Sequence, residues 1–154
     1  MEKNGHIVSE VRKVKFIDNE HKRFFETKIT EILKNKPLDV YKTSLIYVLG
    51  ICEITRKNFY EIFDVKKEEI QIEALKGAWQ TSSSSKVTRL AFNLYSQWCY
   101  DSDDDCDKDI VSPEYNTSNI FCCSYAPYFY EGVKIRFPEY TISKQCERFN
   151  KKEA

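Results

Sequence analysis

Residues 77–100 (GAWQTSSSSKVTRLAFNLYSQWCY) contain the apolar pattern that most restricts how this chain can fold. Apolar side chains recur there at steps of three and four, which places them on one face of an α-helix. They are Val87, Leu90, Ala91, Leu94, Tyr95 and Trp98. The side chains on the opposite face are Lys86, Arg89, Asn93 and Gln97. The pattern predicts a central amphipathic helix that buries Leu90, Leu94 and Trp98 and leaves its basic side chains in solvent.

Helical spacing continues over much of the chain, and only four glycines and four prolines interrupt it. Asp18 and Asp39 each stand just before an apolar segment, where an N-cap residue is expected. Pro127 must kink the last helix or begin a new one, because proline lacks the N–H that a helix interior needs. The predicted helices lie near residues 18–35, 39–63, 84–100 and 117–137.

The expected fold is therefore all-α, a compact bundle of helices with orthogonal or irregular packing. Residues 1–15 fit either a short strand or a loosely packed arm. In residues 66–76, Ile70 and Ile72 alternate as in a strand, but a short helix or a loop is the preferred interpretation. A chain of 154 residues has the usual size of one domain. We assign that domain to residues 16–140 and a polar tail to residues 141–154.

The charges of the chain balance, with 24 basic and 24 acidic residues. Proteins whose main partner is a nucleic-acid backbone usually carry a basic excess, so nucleic acid is not the expected partner. No run approaches the ~20 apolar residues of a membrane span, and the N-terminus has no apolar run of signal-peptide length. The expectation is a cytoplasmic protein with reduced cysteines and no membrane partner.

An acidic segment after the central helix places oxygen ligands at positions 1, 3, 5 and 12 of an EF-hand pattern. These ligands are Asp103, Asp105, Asp107 and Glu114. Lys108 replaces the glycine of the sharp turn and Pro113 follows, so a solvated acidic loop without metal is preferred. The cysteines at 99, 106, 122 and 123 lack the paired spacing of zinc sites. Packing in the core is the expected role of these cysteines.

A run of hydroxyl residues leads into the central helix, and we expect one of its serines to be the N-cap. The same N–H groups, together with two cations, would hold a phosphate or carboxylate. The candidate binding residues are Trp79, Thr81, Ser83, Ser84, Ser85, Lys86 and Arg89, with His21 as an added candidate. His21 fits either a general base or a core-edge residue with a satisfied hydrogen bond. An ordinary serine-rich cap is the simpler interpretation of the run.

Three segments resemble a family of small proteins of unknown function from Firmicutes, especially clostridia, and from their phages and mobile elements. The segments are FIDNEH at 16–21, GAWQTSSSSKVTRLAFNLY at 77–95 and FCCSYAPYFYEGVKIRFPEY at 121–140. The resemblance implies a compact, mainly helical, cytoplasmic protein. It supplies no catalytic residues.

Two main functions follow as hypotheses, and a nucleic-acid-binding module is a third, weaker one. The first is an interaction protein, encoded by a phage or mobile element, that binds a host protein and inhibits a defence nuclease such as a CRISPR effector. The alternative is a small enzyme or a nucleotide- or phosphate-binding protein that uses residues 81–89. The chain has no G-x-S-x-G, Walker A or G-x-G-x-x-G motif, which favours a role without catalysis. No cofactor is expected.

Overall fold

The computed structural model describes residues 14–34 and 39–141. The helices are α1 (Asn19–Leu33), α2 (Val40–Gly50), α3 (Glu53–Lys57), α4 (Phe59–Ile62), α5 (Ser82–Ser96), α6 (Asp103–Asp107), α7 (Thr117–Ile120), α8 (Ala126–Arg136) and α9 (Pro138–Thr141). The two strands are β1 (Phe63–Asp64) and β2 (Glu69–Ile70), and 3-10 helices lie at Ile72–Lys76 and Pro113–Tyr115. The predicted mainly helical fold is confirmed. The proposed N-terminal strand and the tail from residue 142 lie outside the described residues.

Helix α1 begins where the sequence predicts. The Asp18 side chain accepts a hydrogen bond from the His21 N–H at 2.7 Å, which satisfies one unpaired donor of the first turn. Phe25 and Leu33 are buried on the side that faces the protein. The helix ends at Leu33, and Lys34 follows with φ of 44°.

Helix α2 is the centre of the fold, because every side chain from Thr43 to Ile51 is buried. It packs against α1, α5 and α8. Asp39 caps it by accepting hydrogen bonds from the N–H groups of Tyr41 and Lys42. Gly132 allows α8 to approach closely, since a Cβ there would lie 2.5 Å from the Val48 Cγ2.

The prediction of one helix over residues 39–63 is wrong. The chain leaves the helix at Ile51 and Cys52, and α3, α4 and β1 follow as separate elements. The Thr55 hydroxyl donates to the carbonyls of Leu49 (2.6 Å) and Cys52 (2.9 Å). Arg56 donates to the Gly50 carbonyl at 2.7 Å. These side chains satisfy the carbonyls that a continuing helix would have used.

A short antiparallel hairpin occupies part of the segment that the sequence left undecided. Phe63 pairs with Ile70 and Asp64 pairs with Glu69. The Asp64 carboxylate accepts from the N–H groups of Lys66 and Lys67, which fixes the turn between the strands. Residues 66–76 are therefore a turn, strand β2 and a 3-10 helix, so the prediction of a short helix or loop missed the strand.

Helix α5 differs from the predicted helix over 84–100 at both ends. Thr81, rather than a serine, is the N-cap, and the helix ends at Ser96 because Gln97 has φ of 61°. Trp98 is consequently outside the helix and half-buried, which contradicts its expected place in the core. The buried side chains of α5 extend beyond one stripe and are Ser84, Val87, Thr88, Leu90, Ala91, Phe92 and Leu94.

The prediction of one helix over 117–137 is also wrong, since residues 121–125 are not helical. Pro127 lies in the first turn of α8, so it begins a new helix, as one of the two alternatives stated. Pro138 begins the short helix α9 after a break at Phe137. Within residues 14–34 and 39–141, no helix combines the length and apolar character that crossing a membrane requires.

Candidate functional site

The hydroxyl run forms a closed cap at the start of α5. The Thr81 hydroxyl accepts from the Ser84 N–H at 3.1 Å, and the Ser84 hydroxyl accepts from the Thr81 N–H at 2.7 Å. This is a capping box, with serine in the third helical position. Ser84 is fully buried and also donates to the Gln80 side chain at 2.6 Å. Ser83 and Ser85 are half-buried on the same turn.

The two cations expected at this helix start are directed to other parts of the protein. The Lys86 ammonium donates to the backbone carbonyl of Asn119 in α7. An Arg89 terminal nitrogen lies 3.8 Å from the Asp101 carboxylate, and its guanidinium lies 6.0 Å from the Tyr115 ring centre. The Arg89 side chain is only 18% exposed. Lys86 and Arg89 thus join α5 to the acidic segment and α7, and neither is the solvent-facing residue that the sequence led us to expect.

The remaining candidates, Trp79 and His21, contact other residues. The Trp79 indole N–H donates to the Glu61 carboxylate at 2.9 Å. His21 is fully buried: its Nδ1 accepts from the Ile17 N–H at 3.3 Å, and its Nε2 lies 2.8 Å from the Tyr47 carbonyl. This pattern assigns the proton to Nε2. Burial lowers the pKa of His21 to about 4, so the ring is neutral at pH 7. It has the geometry of a satisfied core histidine.

The cap of α5 makes a prediction about stability. We expect Thr81→Ala to lower the free energy of unfolding by about 0.5–2 kcal/mol, because the Ser84 N–H loses its acceptor. Ser82→Ala is the matched control on the same turn, where the side chain is exposed, and should change stability by less than about 0.5 kcal/mol. Urea unfolding followed by circular dichroism measures both. Equal losses for the two variants would contradict the role of Thr81.

The acidic segment does not form the loop that an EF-hand needs. Asp103, Asp105 and Asp107 lie on helix α6, which Ser102 caps, whereas Glu114 lies on the 3-10 helix at Pro113–Tyr115. In the part of the chain that the structure describes, no three His, Cys, Asp or Glu side chains are placed to hold a metal ion. The segment also forms a hydrogen bond within the protein, in which the Tyr100 hydroxyl donates to the Asp109 carboxylate at 2.8 Å.

The cysteines do not occupy the positions expected of them. Among the described cysteines only Cys52 is buried. The four considered for the core, Cys99, Cys106, Cys122 and Cys123, are half-buried or exposed. They lie in the residues after α5, in α6 and in the link between α7 and α8. Cys123 packs against the edge of the core, so the expected core packing is found only in part for these four cysteines.

An open cavity of about 340 Å³ lies beside the hairpin and was not found from the sequence. It is lined by Tyr60, Glu61, Asp64, Gln71, Glu73, Ala74 and Gly77. Its carboxylates already have partners: Glu61 accepts from Trp79, Glu73 pairs with Lys76 at 3.3 Å, and Asp64 accepts two turn N–H groups. These hydrogen bonds lower the pKa of Asp64 below its ordinary value. The cavity therefore has no carboxylate set aside for a ligand.

A second surface, also missed from the sequence, carries several exposed aromatic side chains. We call it the aromatic surface and define it by Tyr41, Tyr130, Arg136, Phe137 and Tyr140. Arg136 lies at its centre, with its guanidinium 3.8 Å from the Tyr41 ring centre and 4.5 Å from that of Phe137. Tyr140 is 80% exposed and Tyr130 is 52% exposed. The helix start of α2 and the end of α8 thus place the rings of Tyr41 and Phe137 against one arginine.

Local geometry explains why these side chains face outward. On α8, Phe129 and Gly132 are directed to the core, so their neighbours Tyr130 and Lys134 fall on the outer side. The Arg136 Nε donates to the Leu94 carbonyl in the last turn of α5 at 2.8 Å, and so satisfies a carbonyl at that helix end. The helical period of α8 was a signal available in the sequence. The approach of Tyr41 to Arg136 was not, because it depends on how α2 and α8 pack.

The fold and this surface define a compact, mainly helical domain with an exposed aromatic and arginine patch. The chain belongs to a family of unknown function (DUF6075), whose model matches residues 11–149. This confirms the resemblance to a family without an assigned function. No curated protein and no solved structure matches the chain significantly.

Proposed function

We propose that this protein is an interaction protein that binds another protein through the aromatic surface. Tyr, Phe and Arg are enriched in the energetically dominant parts of protein interfaces, because they combine large contact area with hydrogen-bonding ability. Solvent-exposed aromatic side chains gathered on one surface also indicate an interaction site. The observation that carries the proposal is the contact of the Arg136 guanidinium with the rings of Tyr41 and Phe137, together with the exposure of Tyr130 and Tyr140 on α8 and α9.

The alternative, a phosphate-binding protein or enzyme built on residues 81–89, has less support. Its two cations are engaged by Asn119 and Asp101, and its helix start is closed by Thr81 and Ser84. His21 is fully buried and hydrogen-bonded on both ring nitrogens, so it has no surface through which to meet a substrate. These contacts favour binding of a macromolecule at the aromatic surface over chemistry at α5.

The proposal extends to the setting in which the protein acts. We propose that it is encoded by a phage or mobile element of Firmicutes, works in the cytoplasm and binds a host protein, with a defence nuclease as the favoured target. The origin and location are supported by the resemblance of residues 16–21, 77–95 and 121–140 to the family from Firmicutes, their phages and mobile elements. The balance of 24 basic and 24 acidic residues supports a protein partner over nucleic acid. The aspartates of residues 101–109 would suit a nuclease, whose own surface is basic.

Affinity capture from a Firmicutes lysate tests the proposal with three baits. Wild-type protein should retain a stoichiometric protein partner, whereas the Tyr130→Ala/Tyr140→Ala double variant should bind it roughly 30-fold more weakly, as expected for loss of an interface hot spot. Both side chains are exposed by more than half, so the variant should remain folded. Thermal unfolding checks this.

Tyr60→Ala is the matched control, since Tyr60 is a tyrosine of similar exposure (59%) outside the aromatic surface. It should bind the partner like the wild type. Equal retention by the double variant would show that the aromatic surface is not the binding surface. A partner retained by the double variant but lost by Tyr60→Ala would instead locate binding near the hairpin.

A further inference from the structure

Arg136 is held in one orientation by three contacts. Its Nε donates to the Leu94 carbonyl at 2.8 Å, and its guanidinium stacks against the rings of Tyr41 and Phe137. An arginine side chain normally loses rotamer freedom when it binds a ligand. Much of that loss has already occurred here on folding, so the group is preorganised.

The two terminal nitrogens of Arg136 have no hydrogen-bond or ion-pair partner among the described residues. The other arginines in residues 14–34 and 39–141 differ, because each uses a terminal nitrogen on a protein oxygen. Arg23 pairs with Glu20, Arg56 donates to the Gly50 carbonyl, and Arg89 pairs with Asp101. The buried unpaired side-chain atoms in this part of the chain are Arg89 Nε and Tyr115 Oη. The terminal nitrogens of Arg136 are therefore not buried, and they reach the surface.

A fixed guanidinium with both terminal nitrogens available presents parallel N–H donors to a planar acceptor. Carboxylates and phosphates both have oxygens at suitable spacing. The charges near Arg136 indicate which of the two ligands fits better. Lys134 is paired with Glu131 at 2.7 Å, and the acidic residue Glu139 precedes Tyr140 in the sequence. A nucleic-acid strand brings several phosphates and needs several cations. The aromatic surface contains one arginine, and a single positive charge is balanced by one monovalent carboxylate.

We propose that the partner inserts an aspartate or glutamate side chain onto Arg136, in a bidentate pair flanked by the rings of Tyr41 and Phe137. This inference rests on the proposed function of the aromatic surface and names the chemistry of its partner. The surrounding rings remove water from the pair, which strengthens its hydrogen bonds. The pair therefore supplies specificity for an acidic residue at the centre of the interface.

Two short peptides that differ only in the carboxylate test the inference. They are acetyl-Gly-Glu-Phe-Gly-amide and its counterpart with Gln in place of Glu, and a ten-residue thymidine oligonucleotide is the third probe. In two-dimensional NMR titrations, the Glu peptide should shift the Arg136 Nε–H signal and bind wild-type protein roughly tenfold more tightly than the Gln peptide. Equal affinity for the two peptides, or tighter binding of the oligonucleotide, would overturn the inference.

Two variants connect this result to the captured partner. Arg136→Lys keeps the charge but removes the planar fork, and should abolish discrimination between the peptides and weaken partner capture roughly tenfold. Tyr41→Ala keeps Arg136 but removes one supporting ring, and should weaken the Glu peptide without affecting the Gln peptide. This second variant decides the matter if Arg136→Lys fails to fold.

The outcomes separate the two proposals. Weak capture by Tyr130→Ala/Tyr140→Ala with undiminished capture by Arg136→Lys would keep the aromatic surface as the interface and overturn the carboxylate pair. Undiminished capture by every variant would overturn the proposed function, and with it this inference. Weak capture by the tyrosine variant and by Arg136→Lys, together with loss of peptide discrimination, supports both.

Discussion

Truncating Phe92 to alanine is expected to lower the free energy of unfolding by about 3–5 kcal/mol. Phe92 has no exposed surface and lies in the second half of α5, the helix that packs against α2 at the centre of the fold. Removing its ring forfeits the transfer free energy of an aromatic side chain. It also leaves a cavity that the surrounding helices fill only in part. Urea unfolding at pH 7 measures the loss.

Trp98→Ala is the matched control, because it removes an even larger ring from the same stretch of sequence. Trp98 follows the left-handed residue Gln97, is half-buried, and donates its indole N–H to the Tyr100 carbonyl at 2.7 Å. The loss should therefore be clearly smaller than that of Phe92→Ala. A larger loss for Trp98→Ala would mean that α5 continues through residue 98 and buries the indole.

The helix starts were predictable because they depend on neighbouring residues. Asp18 and Asp39 cap the helices that follow them, and each accepts from an N–H two or three residues later. Such caps leave a signature in the sequence itself. The stretch before α5 was predicted as a cap for the same reason. The N-cap residue itself was predicted wrongly, because Thr81 rather than a serine accepts the hydrogen bond, and Ser84 completes the capping box.

The interruptions were not predictable from periodicity, because helical spacing continues across them. The break after α2 depends on the side chains of Thr55 and Arg56 reaching back to carbonyls of Leu49 and Gly50. The apolar pattern through this segment is the same whether or not those hydrogen bonds form. Spacing therefore merged α2, α3 and α4 into one helix.

The aromatic surface could not be predicted because its members come from segments that are far apart in the sequence. Tyr41 lies in the first turn of α2 and is 45% exposed. Its ring meets Arg136 only after α8 packs against α2. By contrast, residues 81–89 attracted attention because they are adjacent in sequence. The structure uses their charged groups to join α5 to α7 and to Asp101.

Acid sensitivity is the second large effect that we expect, and it comes from His21. The ring is fully buried against Phe16 and Tyr47, with ring centres 5.0 and 4.6 Å away. Burial disfavours the charged imidazolium and lowers the pKa of His21 to about 4, from 6.5 for an exposed histidine. A Cβ at position 50 would lie 2.7 Å from the ring, so Gly50 helps to close this site.

The direction of the effect follows from proton binding in the two states. Between pH 6.5 and pH 4 the unfolded chain binds a proton at His21 and the folded protein does not, so stability falls as pH falls. The contribution of His21 is fully present above pH 6.5 and is lost as the pH falls through this window. At pH 4 the loss from this residue amounts to about 3 kcal/mol.

His21→Gln isolates this contribution, because glutamine retains an N–H donor for the Tyr47 carbonyl and does not titrate. We expect the variant to be less stable than the wild type at pH 7, with a difference that shrinks steadily as the pH is lowered to 4. Carboxylates titrate in both proteins, so their contributions cancel in the comparison.

NMR titration of a His6→Gln variant, which leaves His21 as the one imidazole, measures the pKa of His21 directly. A value near 6.5 would show that the ring is open to solvent, whereas a value near 4 would confirm that the chain keeps it neutral in the core.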